Sequence, residues 1–171
     1  MTDVHQTLAN PAVPVVRRAA PTDLPAIVRR WQELMEAHAA LDPDLYALAP
    51  HAAETYAATV RAQMSDRDRL VLVVEGPPRT TEVDAYLTAG LGLRQPVFAE
   101  REVGMYFDVA VRPGARRRGL ATALVEEAER WFRKRGVRWV QVDFSPKNAM
   151  ADAFWRNRGF DPLLSEAYRR L

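Results

Sequence analysis

Four arginines flank a glycine-containing turn in the stretch VRPGARRRGLATALV, residues 111–125: Arg112, Arg116, Arg117 and Arg118, with Gly114 and Gly119. An apolar-periodic helix starts directly after them. The first backbone N–H groups of a helix have no intrahelical acceptor, and they and the helix dipole favour an anion there. Glycine lets the backbone approach a ligand closely, and arginines add charge-assisted hydrogen bonds. Clustered cations at a helix start are unfavourable by themselves, so the pattern points to an anionic ligand, with a pyrophosphate as the implied group. A nucleotide-hydrolysing P-loop is excluded, because Leu120 and Ala121 stand where lysine and a hydroxyl residue are required. The G-x-G-x-x-G dinucleotide fingerprint is absent as well. A solvated arginine loop and a nucleic-acid surface remain as competing readings of the stretch alone.

Two motifs then bear on each other. RRRGLA, residues 116–121, fits the pattern R/Q-x-x-G-x-G/A, and NAMADAFWRNRGF, residues 148–160, carries Asn148, Ala151, Phe154, Gly159 and Phe160 in the pattern N-x-x-A-x-x-F-Y-x-x-x-G-F. In this order, separated by a helix and a strand, they resemble the acetyl-CoA signature of the GNAT family of N-acetyltransferases. The resemblance is strongest over residues 103–160, and in the N-terminal half only the element order agrees.

The resemblance implies acetyl-CoA or coenzyme A as cofactor and acetyl transfer to a primary amine, borne by a small molecule or a protein, by direct attack in a ternary complex. It implies an acyl-CoA N-acyltransferase fold in which the strand ending at Val111 splays from the strand at 137–144. The N–H of Val109 would meet the thioester carbonyl, and Val111 would pair with the pantetheine amides. Arg116, Arg117, Arg118, Gly119, Ala121 and Thr122 would surround the diphosphate, with Asn148 on the pantetheine side and Trp155 also among the cofactor-binding residues. The tyrosine that many members use to protonate the leaving thiolate is Trp155 here, and an indole N–H only donates hydrogen bonds. Tyr168 and Tyr106 are the phenols that could replace it. Asp108 is the expected base, with Glu102 and Asp143 as alternatives, since a position where some members place a glutamate is Met105. The N-terminal helices would shape the acceptor pocket through Trp31, Glu33, His38, Tyr46 and Tyr86. An acyl-CoA sensor without turnover is the alternative function, kept open by Trp155 and Met105.

These groups need a scaffold, and the rest of the chain describes one. Residues 1–14 are polar, aperiodic and expected to form a flexible tail, ahead of one domain over 15–171. Leu24, Ile27, Val28, Trp31, Leu34 and Met35 recur at helical spacing after Thr22, an expected N-cap, and a second helix is expected over 52–64. RLVLVVEG and VDAYLTAGLGLR read as a hairpin, and EVGMYFDVAV as a third strand. Leu120, Leu124, Val125, Ala128, Trp131 and Phe132 form one stripe of a helix that Gly136 is placed to end. A strand, a helix and a final extended segment, a candidate last strand, complete the chain. The fold class is therefore α/β, with a mixed, mainly antiparallel central sheet flanked by helices.

Composition sets outer bounds. The 171 residues are 48% hydrophobic and 27% charged, as in a globular protein. No stretch is apolar enough to span a membrane, and no basic-then-apolar leader opens the chain, so a cytoplasmic location is expected. The absence of cysteine excludes disulfides and thiolate chemistry, and the histidines are too few and too separated to suggest a metal. Net charge is only +2 although the pI is about 9.2. Without interleaved aromatic and basic residues, nucleic acid is not an expected partner. A homodimer stays open.

Overall fold

The computed structural model describes residues 14–76 and 80–169, so the expected tail lies outside the described residues apart from Pro14. The elements are β1 (Val16–Arg18), α1 (Leu24–Ala39), α2 (Ala52–Ser65), β2 (Arg69–Glu75), β3 (Val83–Leu93), β4 (Glu102–Val111), α3 (Leu120–Arg133), β5 (Val140–Val142) and α4 (Ala149–Asn157). Single 3-10 turns, Pro21–Asp23 and Pro113–Ala115, lead into α1 and out of β4. The sheet runs β1-β2-β3-β4-β5, antiparallel except for the last pair. This is the mixed, mainly antiparallel sheet read from the sequence. No helix among the described residues is long and apolar enough to cross a membrane.

Period-2 alternation divides the side chains between two cores. Leu70, Leu72 and Val74 of β2 with Ala85, Leu87 and Ala89 of β3 meet the α3 stripe Leu120, Leu124, Val125, Ala128, Trp131 and Phe132. Val71 and Val73, with Val83 and Tyr86, face the other way onto Leu24, Ala26, Ile27 and Trp31 of α1 and Val60 of α2. A sheet buried on both faces explains why β2 is apolar almost throughout. At the end of α3, Gly136 adopts φ 76°, the left-handed conformation that closes a helix.

Three expectations change. The residue before α1 is Asp23 rather than Thr22; its carboxylate accepts the Ala20 N–H at 2.7 Å and is gripped by Arg17 at 2.6 Å. The last paired strand is Val140–Val142 rather than 137–144, because β4 departs from its neighbour just past Tyr106, the partner of Val142. No final strand forms over 161–169, where Pro162 lacks an N–H and Leu163 and Leu164 are 88% and 89% exposed.

The seam between β4 and α3 depends on Gly104, where a Cβ would lie 2.7 Å from the Phe132 ring. Gly104→Ala should therefore destabilise the fold by about 1–3 kcal/mol through overpacking. A thermal melt with an unchanged midpoint would contradict this close approach.

Candidate active site

Thr88 of β3 pairs with Asp108 and Ala89 with Tyr106, so Phe107 is an extra residue in β4 without a counterpart. Such a bulge re-aims the residues beyond it. Tyr106 points into the α3 core against Phe132 and Trp155, whereas Asp108 points to the α1/α2 face, where the Tyr56 hydroxyl meets it. Backbone directions shift with the side chains. Before the bulge, the Gly104 N–H donates towards β5, to the Trp139 carbonyl at 2.9 Å. After it, the Asp108 N–H donates to Thr88 Oγ1 at 3.1 Å and the Arg112 N–H to the Asp84 carbonyl at 2.8 Å, both on the β3 side. Alternation then turns the N–H groups of Val109 and Val111 towards β5, whose pairing with β4 covers only Gly104–Tyr106. The result is a slot edged by peptide donors.

Asp108 sits beside this slot. Its Oδ2 accepts the Tyr56 hydroxyl at 2.9 Å and the Thr88 hydroxyl at 2.9 Å. The oxygens of Tyr56 and Tyr86 are 3.2 Å apart. Tyr56 has a single proton, directed at Asp108, so Tyr86 supplies the proton between the phenols. Trp31 stacks on Tyr56 at 4.4 Å and holds the ring in place. Oδ1 has no hydrogen-bond partner among the described residues and is not sealed from solvent. Burial pushes the Asp108 carboxyl above the usual carboxylate range, against the opposing pull of Thr88, Tyr56 and His38. Burial in turn lowers the His38 imidazole, opposed by the charge of Asp108. Burial raises Tyr56 and Tyr86, reinforced by the same carboxylate. A carboxylate with one anchored oxygen, one free oxygen and a raised pKa can act as a proton acceptor near neutral pH.

The start of α3 lies along the same strand-to-helix path. Arg117 (φ 63°) and Gly119 (φ 77°) both adopt left-handed conformations. The helix has no side-chain N-cap, and among the described residues no N–H from Arg117 to Thr122 donates to a protein acceptor. A Cβ built on Gly119 meets nothing within 4 Å, so the ground in front of these donors is open. Such a concave run of peptide N–H groups is an anion site. The arginines, however, are not equivalent. Arg112 Nε and Nη2 bind Asp84 Oδ1 at 2.8 and 2.7 Å, and Arg118 Nη1 lies 3.4 Å from Oδ2. Arg116 Nε reaches back to the Val111 carbonyl at 3.4 Å.

The remaining expected residues divide. Asn148 caps α4 by accepting the Ala151 N–H at 3.1 Å, which leaves its amide nitrogen for other contacts. The Trp155 indole is buried against Tyr106, Phe154 and Phe160. Tyr168 is 70% exposed and donates to Glu166 at 2.7 Å, with no described contact to Asp108 or Val109. Tyr106 is buried, and its hydroxyl lies on the face opposite Asp108 without a partner among the described residues. Glu33 pairs with Arg30 at 2.8 Å. Trp31 and Tyr86 are buried behind Tyr56 rather than offered to a ligand. The Tyr46 ring lies tilted against His38, with centroids 4.9 Å apart, and lines, with Gln32, Met35, Glu36 and Leu48, a cavity of about 260 Å³. Sequence reasoning misses Tyr56, Thr88 and Asp84. Tyr56 occupies an apolar stripe in which a phenol reads as core, and no local pattern marks which β3 residues face a β4 carboxylate.

Known proteins share this architecture. The sequence matches the Acetyltransferase (GNAT) family over residues 28–160. A mycothiol acetyltransferase of Beutenbergia cavernae is 36% identical over 84 residues, 49% of this chain but only 27% of that relative. Among solved structures, a tetramutant of the BH1408 protein of Bacillus halodurans superposes with a TM-score of 0.77 at 19% identity, covering 92% of this chain and 99% of that one. An aminoglycoside N-acetyltransferase in complex with CoA gives 0.68 at 16% identity, covering 92% and 98%.

The raised pKa of Asp108 has a stability consequence. In the unfolded chain the carboxyl ionises in the ordinary range, so the native state binds the extra proton between that range and the raised value. The contribution of Asp108 is complete below the unfolded pKa and is lost as pH rises through the folded one. Relative to Asp108→Asn, the wild type should therefore lose stability across that window, as denaturant melts at successive pH values would show. A flat difference would contradict the burial of this group.

Proposed function

The chain belongs to the GNAT acetyltransferase family, and from that premise we propose that residues 15–171 form one catalytic domain that moves an acetyl group from acetyl-CoA to a primary amine. The amine, borne by a small molecule or a protein, attacks the thioester carbonyl carbon directly. The observation that carries this reading is the adjacency of two groups on one strand: the free Oδ1 of Asp108 and the slot-facing N–H of Val109. One can take the ammonium proton that must leave before attack; the other can donate to the oxygen on which charge develops. When the tetrahedral centre collapses, the C–S bond breaks, the thiolate leaves and the nitrogen gives its remaining extra proton to solvent as the neutral amide forms. Trp155 and Tyr106 are buried and Tyr168 donates to Glu166, so water supplies the thiolate proton.

The same scaffold suits the carrier. The uncapped N–H groups from Arg117 to Thr122 and the open ground at Gly119 match a diphosphate in charge and depth. Arg117 and the exposed Arg118 supply positive charge beside them, and the Val109 and Val111 N–H groups offer a ladder edge to pantetheine amides.

Two measurements test this. Acetyl-CoA and CoA should raise the melting temperature, by mass action on the native state, whereas ATP and an oligonucleotide should not. Gly119→Glu, which puts bulk and a like charge into the open ground, should abolish that stabilisation; an unchanged shift would remove the cradle. With an amine panel, thiol release should obey a pH profile for kcat/KM whose acidic limb lies above the ordinary carboxylate range. Asp108→Asn should lower kcat by about 10²- to 10⁴-fold and erase that limb. CoA binding without thiol release from any amine would instead favour the sensor reading.

A further inference from the structure

Asp84 is a buried carboxylate outside every motif of the sequence, and it lies against Arg112 and Arg118, two arginines of the loop that leads into α3. It owes its position to a second irregularity. Val74 of β2 pairs with Ala85 and Glu75 with Val83, so Asp84 is the unmatched residue of β3. A bulge of this kind turns a side chain out of its regular alternation. The Asp84 main chain accepts the Arg112 N–H at 2.8 Å, and its Oδ1 takes Arg112 Nε and Nη2 at 2.8 and 2.7 Å. Its Oδ2 faces Arg118 Nη1 at 3.4 Å. The side chain of Asp84 is 6% exposed, that of Arg112 32% and that of Arg118 60%.

We propose that Asp84 is the positioning residue of the diphosphate turn, tying down Arg112 and Arg118 in the loop that leads into α3 so that the N–H groups from Arg117 to Thr122 are held in place before any ligand arrives. The inference rests on the CoA-binding reading of that turn. The two arms differ in strength. Arg112 makes two short charge-assisted bonds to a desolvated oxygen and is fixed. Arg118 is exposed and farther away, so it is the arm that can turn from Asp84 to a phosphate while Arg112 keeps the loop in place. Without the clamp, Arg117 and Gly119 would have to hold left-handed conformations unaided, and ordering them would be charged against binding.

Charge alone predicts the reverse. Neutralising an acid beside a phosphate site makes the site more positive, so Asp84→Asn would tighten CoA binding if Asp84 acted only through its field. As a positioning residue it must do the opposite. We expect Asp84→Asn to weaken CoA and dephospho-CoA by a similar factor of tenfold or more. KM for acetyl-CoA should rise, while kcat at saturation stays within about twofold, as expected for lost ground-state binding. In the empty protein, amide hydrogen exchange at Arg112, Ala115 and Arg116, whose N–H groups are hydrogen-bonded, should quicken, while the α3 core from Leu124 to Phe132 keeps its protection. Arg112→Gln should reproduce the loss of affinity, and the double variant should lose little more, because both substitutions open one clamp. Should Asp84→Asn fail to fold, Arg112→Gln carries the same test. Unchanged or tighter CoA binding in a folded variant, or unchanged exchange at those three N–H groups, overturns the proposal. A wild type that binds no CoA would instead remove the CoA reading, and the exchange experiment would still judge the clamp.

Discussion

One extra residue, Phe107, decides what the rest of the molecule can do. Without it, Tyr106 and Asp108 would share a face of the sheet, and Asp108 would point into the core packed by α3 and α4. With it, the carboxylate crosses to the α1/α2 side, and the peptide N–H groups of Val109 and Val111 swing towards the unpaired edge of β4. The bulge therefore sets the chemical side chain and the backbone donors together. Bulges persist where they re-aim a group, and they disrupt only a local part of the ladder. Phe107 itself is 40% exposed beneath the Arg69 guanidinium, 5.3 Å from its ring centre, so the irregular residue adds little strain to either core.

Burying a carboxylate is costly unless its lone pairs are served. Asp108 lies between the extremes: one oxygen has two hydroxyl partners and the other has none among the described residues. The anchored oxygen fixes orientation, and the free one retains proton affinity. Asp84 shows the other solution, in which both oxygens face guanidinium groups and the carboxylate serves structure. Two acids on neighbouring strands, Asp84 buried and Asp108 half-buried, thus differ through their partners.

Much of this scaffold is legible in the sequence, because its elements rest on periodicity. β4 and the buried stripe of α3 fall where alternation and helical spacing put them, and Gly136 ends the helix as a left-handed residue. The turn at 116–119 is legible because glycine and clustered cations at a helix start conflict with helix stability unless something anionic resolves the conflict. The hidden part depends on register. No local pattern distinguishes a bulged Phe107 from a regular one, and the bulge decides which strand face Asp108 occupies. Tyr56 is separated from Asp108 by 52 residues and looks like any core aromatic of an amphipathic helix. Trp155 is buried at a motif position and Tyr168 is exposed in a terminal segment that joins no strand, and no local pattern tells the two environments apart.

The seam between β4 and β5 joins only Gly104–Tyr106 to Val140–Val142. Past that seam no ladder bond has to break for the two strands to part further or draw together, so the aperture behaves like scissors with a short pivot. Its span is governed by the wedge of aromatic rings at the pivot, where Tyr106, Trp155 and Phe160 touch. Under the proposed function, substitutions at this remote wedge would change the bore of the opening, and with it the acyl groups that fit, while Asp108 and Val109 stay the same.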